Sequence, residues 1–359
     1  VSVLDLARAE ILALKPYSSA RLEAGTAEIM LNANEAPWPP TGGAVEARLD
    51  PLNRYPDPQP ARLVTRLAEL YGVDRSEVLV GRGSDEAIDL LIRAFCRPGI
   101  DAIAIQPPTF GMYAVSASVQ GASVVEIPLN EHFELDVENL IDQLPDTVRI
   151  VFLCSPNNPT GACVPAADIA RLAVAMRNRA LIVVDEAYIE FAEQPSVASL
   201  IPQHENLGVL RTLSKAWALA GARVGCLLAR AEVVALLRRI MAPYPLPSLS
   251  IAAALSALTA EGLELTQRRI ALLISERERM AKALVRLPSV INVLPSQANF
   301  LCVEFTDSST IYRSLLNDGI LVRDVGRYPR LRGHLRISIG TREENTRVLE
   351  VLVRHEVSA

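Results

Sequence analysis

Aromatic residues are scarce, at 5% of 359 residues, so the core has to be built from Ala, Val, Leu and Ile. A basic excess is also missing. The 36 Lys and Arg residues are outnumbered by 41 Asp and Glu, for a net charge of −5. Nucleic-acid binders ordinarily carry a basic domain or stripe, so that class is disfavoured and no nucleic-acid partner is expected. Cysteine is sparse and odd in number: Cys96, Cys154, Cys163, Cys226 and Cys302 form no C-x-x-C pair. Four of them lie in apolar segments. That pattern fits buried, reduced thiols in a cytoplasmic protein rather than disulfides or zinc. The scattered His132, His204, His334 and His355 show no metal-ligand spacing, and no metal is expected. One uncharged run, Met241 to Ala260, has the length of a membrane span, but Pro243, Pro245, Pro247 and several serines interrupt it. A loop followed by a buried helix is expected there, and no membrane partner. The opening stretch VSVLDLARAEILALKP has acidic residues and no apolar run before a cleavage site, so it does not read as a secretion signal.

What the chain does have is a regular alternation of apolar strands and amphipathic helices. Residues 5–14 read as a short helix and 15–60 as an irregular, Pro- and Asn-rich arm. Strands are expected at 78–80, 102–105, 123–127, 149–153, 181–184, 208–213 and 224–229. Helices are expected at 61–70, 84–95, 111–119, 136–143 and 165–177, with Ser84 as an N-cap. Continuous apolar strands alternating with helices indicate an α/β fold, a mostly parallel sheet flanked by helices. A long helix over 262–286 leads into a smaller α+β unit, with strands at 290–294, 298–304, 320–323 and 334–338 and helices at 309–317 and from Glu343. The expected division is a large domain over 36–265 and a small one from 1–35 and 266–359.

In such sheets ligands bind beyond the carboxyl ends of the strands, and the polar residues there form a set. Asp185 follows the strand LIVV, where burial of an acid is costly without a cationic partner; alone it would read as a cap. Lys215 follows the next apolar strand in RTLSK; alone it would read as a solvated lysine. Asn158 sits in the constrained loop SPNNPTG. Arg223 lies eight residues past Lys215. Gly83, in GRGSD, makes a turn into a helix N-terminus. Together these match the needs of pyridoxal phosphate: a lysine for a Schiff base, an acid on the pyridine nitrogen, donors to the phenolic oxygen and a phosphate cup. Asp185 would keep the ring nitrogen protonated. Asn158 and Tyr188 would donate to the phenolic oxygen. Backbone N–H groups of Ser84 and Asp85 would face the phosphate, and Thr212, Ser214 and Arg223 would complete the cup. The acids at Asp85 and Glu86 have an ordinary first-turn reading, so the role at Asp85 falls to its backbone.

Asn-Pro-Thr-Gly (158–161), Asp-Glu-Ala-Tyr (185–188), Ser-Lys (214–215) and Gly-x-Arg (221–223) resemble the fold-type I aminotransferases in identity, order and spacing. LNANEAPWPP (31–40), LNRYPDPQP (52–60), QPPTFGMY (106–113), APYPLP (242–247) and LRISIGTREEN (335–345) extend the likeness to the histidinol-phosphate aminotransferase family over nearly the whole chain. The resemblance implies that Phe110 stacks on the cofactor ring. It also implies a homodimer in which Tyr55 reaches the partner subunit's cofactor phosphate. From the residues alone, Tyr55 is an exposed aromatic that wants a surface. The resemblance gives Arg336 the substrate carboxylate or phosphate, with Arg323 and Tyr17 as helpers. It puts Asn34, Glu35 and Pro243-Tyr244-Pro245 on the imidazole side. The bland alternative for the arginines is an internal ion pair with Glu35 or Asp324.

The implied reaction is transamination of L-histidinol phosphate with 2-oxoglutarate, giving imidazole acetol phosphate and L-glutamate, with Lys215 moving the proton. Rivals on the same scaffold are an aromatic or broad-specificity aminotransferase and an amino-acid-phosphate decarboxylase. A non-catalytic regulatory module would be expected to carry a basic DNA-binding extension, which is absent. A nicotinamide dehydrogenase would need a third glycine where Glu86 stands.

Overall fold

The computed structural model describes residues 7–14, 27–41 and 52–358; Tyr17 lies outside them. The first part of the chain runs α1 (Ala9–Ala13), β1 (Ile29–Met30), α2 (Ala61–Tyr71), β2 (Val78–Gly81), α3 (Ser84–Phe95), β3 (Ala102–Ile105), α4 (Met112–Gln120) and β4 (Ser123–Glu126). Next come α5 (Val137–Gln143), β5 (Val148–Cys154), α6 (Ala166–Ala175), β6 (Leu181–Asp185), β7 (Leu207–Thr212), β8 (Gly225–Ala229), α7 (Ala231–Arg238) and α8 (Ser248–Ala257). The chain closes with α9 (Ala260–Leu284), β9 (Val290–Val293), β10 (Phe300–Phe305), α10 (Ser308–Asn317), β11 (Ile320–Leu321), β12 (Arg323–Asp324), β13 (His334–Ser338) and α11 (Arg342–Ser358).

Seven strands form the main sheet in the order β2-β8-β7-β6-β5-β3-β4. Every pairing is parallel except the two made by β8, which runs against its neighbours β7 and β2. The strands β6, β7 and β8 are buried at every position, as uninterrupted apolar runs covered by helices on both faces should be. A fully buried Leu or Ile there contributes roughly 2 kcal/mol. A second sheet, β12-β13-β10-β9, is antiparallel, and β1 pairs in parallel with β11, tying residues 29–30 to the C-terminal part.

Three expectations change. Gly83, not Ser84, holds the N-cap position of α3, with φ of 76°. The turn demands a left-handed residue there, so Ser84 starts the helix with its hydroxyl free of capping. The long helix begins at Ala260, two residues before the expected start, capped by the Thr259 hydroxyl on Gly262 N. The helix expected to be buried, α8, is only partly so: Ala252, Ala254 and Ala257 are buried while Leu249 is exposed. Among the described residues no single helix is long and apolar enough to cross a membrane; α8 and α9 meet the length and composition only as a pair bent by 73°. All five cysteines are free thiols, four buried and Cys163 half-buried.

Candidate active site

A cleft of about 640 Å³ opens beyond the carboxyl ends of β5, β6 and β7. Register explains the convergence, because Asp185 ends β6 with Cys154 of β5 on one side and Leu210 of β7 on the other. The loops that leave these three strands carry Asn158, Tyr188 and Lys215 into one wall. The small sheet supplies the facing wall through Arg323, Val325, Tyr328 and Arg336.

Lys215 Nζ donates to Ala33 O at 2.9 Å and sits 5.8 Å from the Tyr188 ring. Burial, reinforced by the Arg336 charge, brings its ammonium down to about 8. A buried ammonium loses its proton more readily because its charged form is the one that loses hydration. Asp185 is buried; its Oδ2 accepts from the Tyr113 hydroxyl at 2.8 Å and its Oδ1 from Ala187 N at 3.2 Å. Burial still raises its carboxyl to about 6, against those two hydrogen bonds.

Two donors are aimed by their other contacts. Asn158 Oδ1 accepts from Arg336 Nη1 at 2.6 Å, which leaves the Asn158 amide hydrogens for the cleft. The Tyr188 hydroxyl accepts from Asn34 Nδ2 at 3.1 Å, so its own proton remains available to a ligand, and burial keeps that proton on. Asn34 is itself clamped through Ser338 Oγ and Asn299 Nδ2, at 2.9 and 3.1 Å.

At the other end, Ser84, Asp85, Thr212, Ser214 and Arg223 ring the start of α3. The Arg223 guanidinium bridges Asp85 Oδ2 at 3.0 Å and Ser214 Oγ at 3.3 Å. Thr212 Oγ1 contacts Ser214 Oγ at 3.0 Å and accepts from Ser214 N at 3.1 Å. A Cβ on Gly83 would lie 2.9 Å from Arg223 Nη2, and one on Gly225 would lie 2.8 Å from Gly83 itself. The turn therefore packs against β8 and Arg223 only because both positions are bare.

Arg323 and Arg336 are directly opposite each other on β12 and β13, both buried. Like charges opposed across a strand pair repel, and an anion placed between them relieves that cost. Phe110 and Glu35 also line the cleft. Tyr55 does not. It is 80% exposed and stacks on Tyr244, with 4.3 Å between centroids. The Pro243-Tyr244-Pro245 segment expected on the imidazole side is thus committed, within one chain, to Tyr55 and not to the cleft.

The sequence model described as "Aminotransferase class I and II" matches residues 27–352. The chain belongs to the class I and II aminotransferases. A histidinol-phosphate aminotransferase of Xanthomonas axonopodis pv. citri is 49% identical over 363 residues, covering 100% of this aminotransferase and 99% of the relative. The solved histidinol-phosphate aminotransferase from Sinorhizobium meliloti, in complex with pyridoxal-5'-phosphate, has a TM-score of 0.87 at 23% identity and covers 98% of each chain. L-Threonine-O-3-phosphate decarboxylase from Porphyromonas gingivalis has a TM-score of 0.77 at 22% identity, with 91% of this chain and 99% of that one covered. These two likenesses are of fold, and the fold alone does not choose the reaction.

Pyridoxal phosphate, the cofactor of this aminotransferase, suits the residues present. Asp185 is a buried carboxylate with no cationic side chain paired to it among the described residues, a demand that a protonated ring nitrogen meets. The bare Gly83 turn, two hydroxyls and Arg223 suit a phosphate.

Several supporting residues of this aminotransferase have no local sequence signal. Tyr113, Asn299 and Ser338 are among them. So is a buried ionic cluster behind the site, where Arg211 meets Glu186 at 3.3 Å and Glu190 at 2.8 Å and lies 4.3 Å from the Tyr71 ring centre. Glu186 follows Asp185 and Arg211 precedes Thr212, so the cluster ties together the strand ends that carry the acid and the lysine loop. One signal was available in composition: the chain has only three lysines, Lys15, Lys215 and Lys282.

Proposed function

We propose that the enzyme transfers the amino group of L-histidinol phosphate to 2-oxoglutarate, giving imidazole acetol phosphate and L-glutamate. The observation that carries this reading is the buried Arg323–Arg336 pair in the same cleft as Lys215. An amine that also bears a dianionic phosphate fits that combination, and 2-oxoglutarate can present a carboxylate to the same pair. The 49% identity to a histidinol-phosphate aminotransferase separates this reading from the decarboxylase on the same fold.

Bound pyridoxal phosphate supplies the carbonyl that captures the amine and the electron sink that acidifies the carbon bearing it. The side chains do the rest. Lys215 Nζ, with its proton affinity lowered to about 8, is deprotonated often enough near neutral pH to take the proton from that carbon and return it one position away. Asp185 would stay anionic and face the ring nitrogen. The Asn158 amide and the Tyr188 hydroxyl would donate to the phenolic oxygen, and Phe110 would cover a ring face. Ser84 N, Asp85 N, Thr212, Ser214 and Arg223 would hold the cofactor phosphate, Gly83 making room for the turn. Arg336 and Arg323, with Tyr17 from outside the described residues, hold the substrate anion, and Asn34 and Glu35 face the imidazole.

A half-reaction screen tests the function. Histidinol phosphate should convert the bound cofactor, read as loss of its visible absorbance, faster than phenylalanine or tyrosine does. In Arg336→Ala, KM should rise by on the order of 10²-fold for both histidinol phosphate and 2-oxoglutarate, as expected for losing a charged hydrogen-bonding partner. A rise for one substrate alone would rule out a shared anion site. Equal rates for all amines would instead support the broad-specificity aminotransferase.

The working form we propose is a cytoplasmic homodimer, with the large domain over 36–265 and the small one from 1–35 and 266–359. Supporting it are the exposed Tyr55–Tyr244 stack and the exposed Leu249 on α8. In this reading Tyr55 serves the partner's phosphate cup. Mixed dimers of Tyr55→Phe and Lys215→Ala subunits should then regain native sites, about a quarter of the total on random pairing in a two-fold dimer. Mixtures no more active than the two parents would place Tyr55 in its own subunit's site or in none.

A further inference from the structure

Tyr113, on α4, lies behind the cleft. Its ring is fully buried, stacked on Phe152 at 4.8 Å and 5°, and edge-on to Phe110 at 5.5 Å. Phenylalanine would fill that space without burying a hydroxyl, a group that costs free energy in a core unless it is bonded. The bond that distinguishes tyrosine here is its donation to Asp185 Oδ2 at 2.8 Å. With Ala187 N on Oδ1 at 3.2 Å, both oxygens of Asp185 are tied, which fixes the carboxylate plane. Each oxygen keeps a lone pair for a further donor.

We propose that Tyr113 is a positioning residue for the transamination: its hydroxyl keeps Asp185 ionised and aimed at the cofactor's ring nitrogen, while its ring backs Phe110. The inference rests on the pyridoxal-phosphate reading of the cleft. The groups facing Asp185 are Tyr113 from α4, Cys154 from β5, Asp85 from α3, and Glu186 and Tyr188 from its own loop. Burial and the charges of Asp85 and Glu186 disfavour the anion. Among the described residues, Tyr113 and Ala187 N are the leading groups that favour it. Removing the hydroxyl leaves the backbone N–H as the leading one, and the carboxylate becomes the stronger base. It then draws the ring proton towards itself, and the positive charge near the Lys215 nitrogen falls. That nitrogen holds its own proton to higher pH.

The test is Tyr113→Phe, with Phe152→Leu as the packing control. In loaded Tyr113→Phe, the midpoint of the pH-dependent change in visible absorbance should move up by roughly one unit, the worth of a hydrogen bond to a charged group. Its kcat should fall on the order of tenfold with KM within about twofold. In the apoprotein, the loss of stability with rising pH should extend about one unit higher, because the Asp185 proton is held longer. Phe152→Leu should lower the melting temperature and leave both midpoints unmoved. Unchanged midpoints in Tyr113→Phe overturn the inference, as does an equal shift in Phe152→Leu. A Tyr113→Phe chain that never folds assigns the hydroxyl to stability and overturns it too. If wild type fails to bind pyridoxal phosphate, the cofactor reading falls, while the apoprotein comparison still reports on the Tyr113–Asp185 bond.

Discussion

Lys215→Ala is expected to lose roughly 10⁴-fold or more in turnover while remaining folded, since the variant gives up both the covalent tether and the mobile base. Lys15 lies outside the described residues and Lys282 is in the last turn of α9, so neither is among the side chains that line the cleft. The arginines and Tyr188 that also line the cleft cannot replace it. Arginine does not deprotonate in proteins, and Tyr188 is held protonated by burial. Borohydride reduction followed by peptide mass spectrometry should mark a single lysine in the wild type and none in the variant. Truncation also leaves space in a cleft of about 640 Å³, so a small primary amine added to the buffer should restore part of the rate. Turnover within tenfold of wild type would remove Lys215 from the reaction.

Asp185→Asn is expected to lower kcat by on the order of 10²–10³-fold, the effect of removing an anion that shifts its partner's proton affinity by two or three units. Its pH signature separates it from a packing defect. In the apoprotein the Asp185 carboxyl is raised to about 6, above the unfolded value of roughly 3.9. The folded state therefore binds more protons between these values. The contribution is present in full below about pH 4 and is lost as pH rises towards 6, by about 3 kcal/mol in all. The asparagine variant lacks that loss, so it should gain stability over wild-type apoprotein at pH 7 relative to pH 4. Cofactor should reverse the order, because only the aspartate pairs with a protonated ring. Parallel stability curves for the two apoproteins would show that Asp185 is not the strained acid described here.

Much of this was legible in the chain because the chemistry sits next to strong local signals. The helix Ser84–Phe95 was readable in extent, since its apolar positions repeat at helical spacing, although its cap falls on Gly83 rather than on Ser84. Asp185 and Lys215 stood out because each ends an apolar run, where a charge is conspicuous. The reversed direction of β8 was not readable, since a short apolar strand looks the same either way along the sheet. Tyr113 was hidden for the opposite reason: an aromatic on the apolar face of a helix reads as core, and only the third dimension reveals what its hydroxyl meets. Asn299, Ser338 and the Arg211–Glu186–Glu190 cluster act across separations that no local pattern encodes. Tyr55 and Tyr244 were assigned to the ligand, and within one chain they face each other.

The reversed β8 makes the two ends of the site unequal in chain entropy. Arg223 reaches Ser214 across nine residues of a β7–β8 hairpin, whereas Tyr113 reaches Asp185 across 72. Closing the longer loop costs about 2 kcal/mol more, because the penalty grows with the logarithm of length. The Thr212, Ser214 and Arg223 side of the phosphate cup can therefore form within one local hairpin, while Gly83, Ser84 and Asp85 join it only across 138 residues, and the ring end must wait for the parallel crossovers that bring β5, β6 and α4 together.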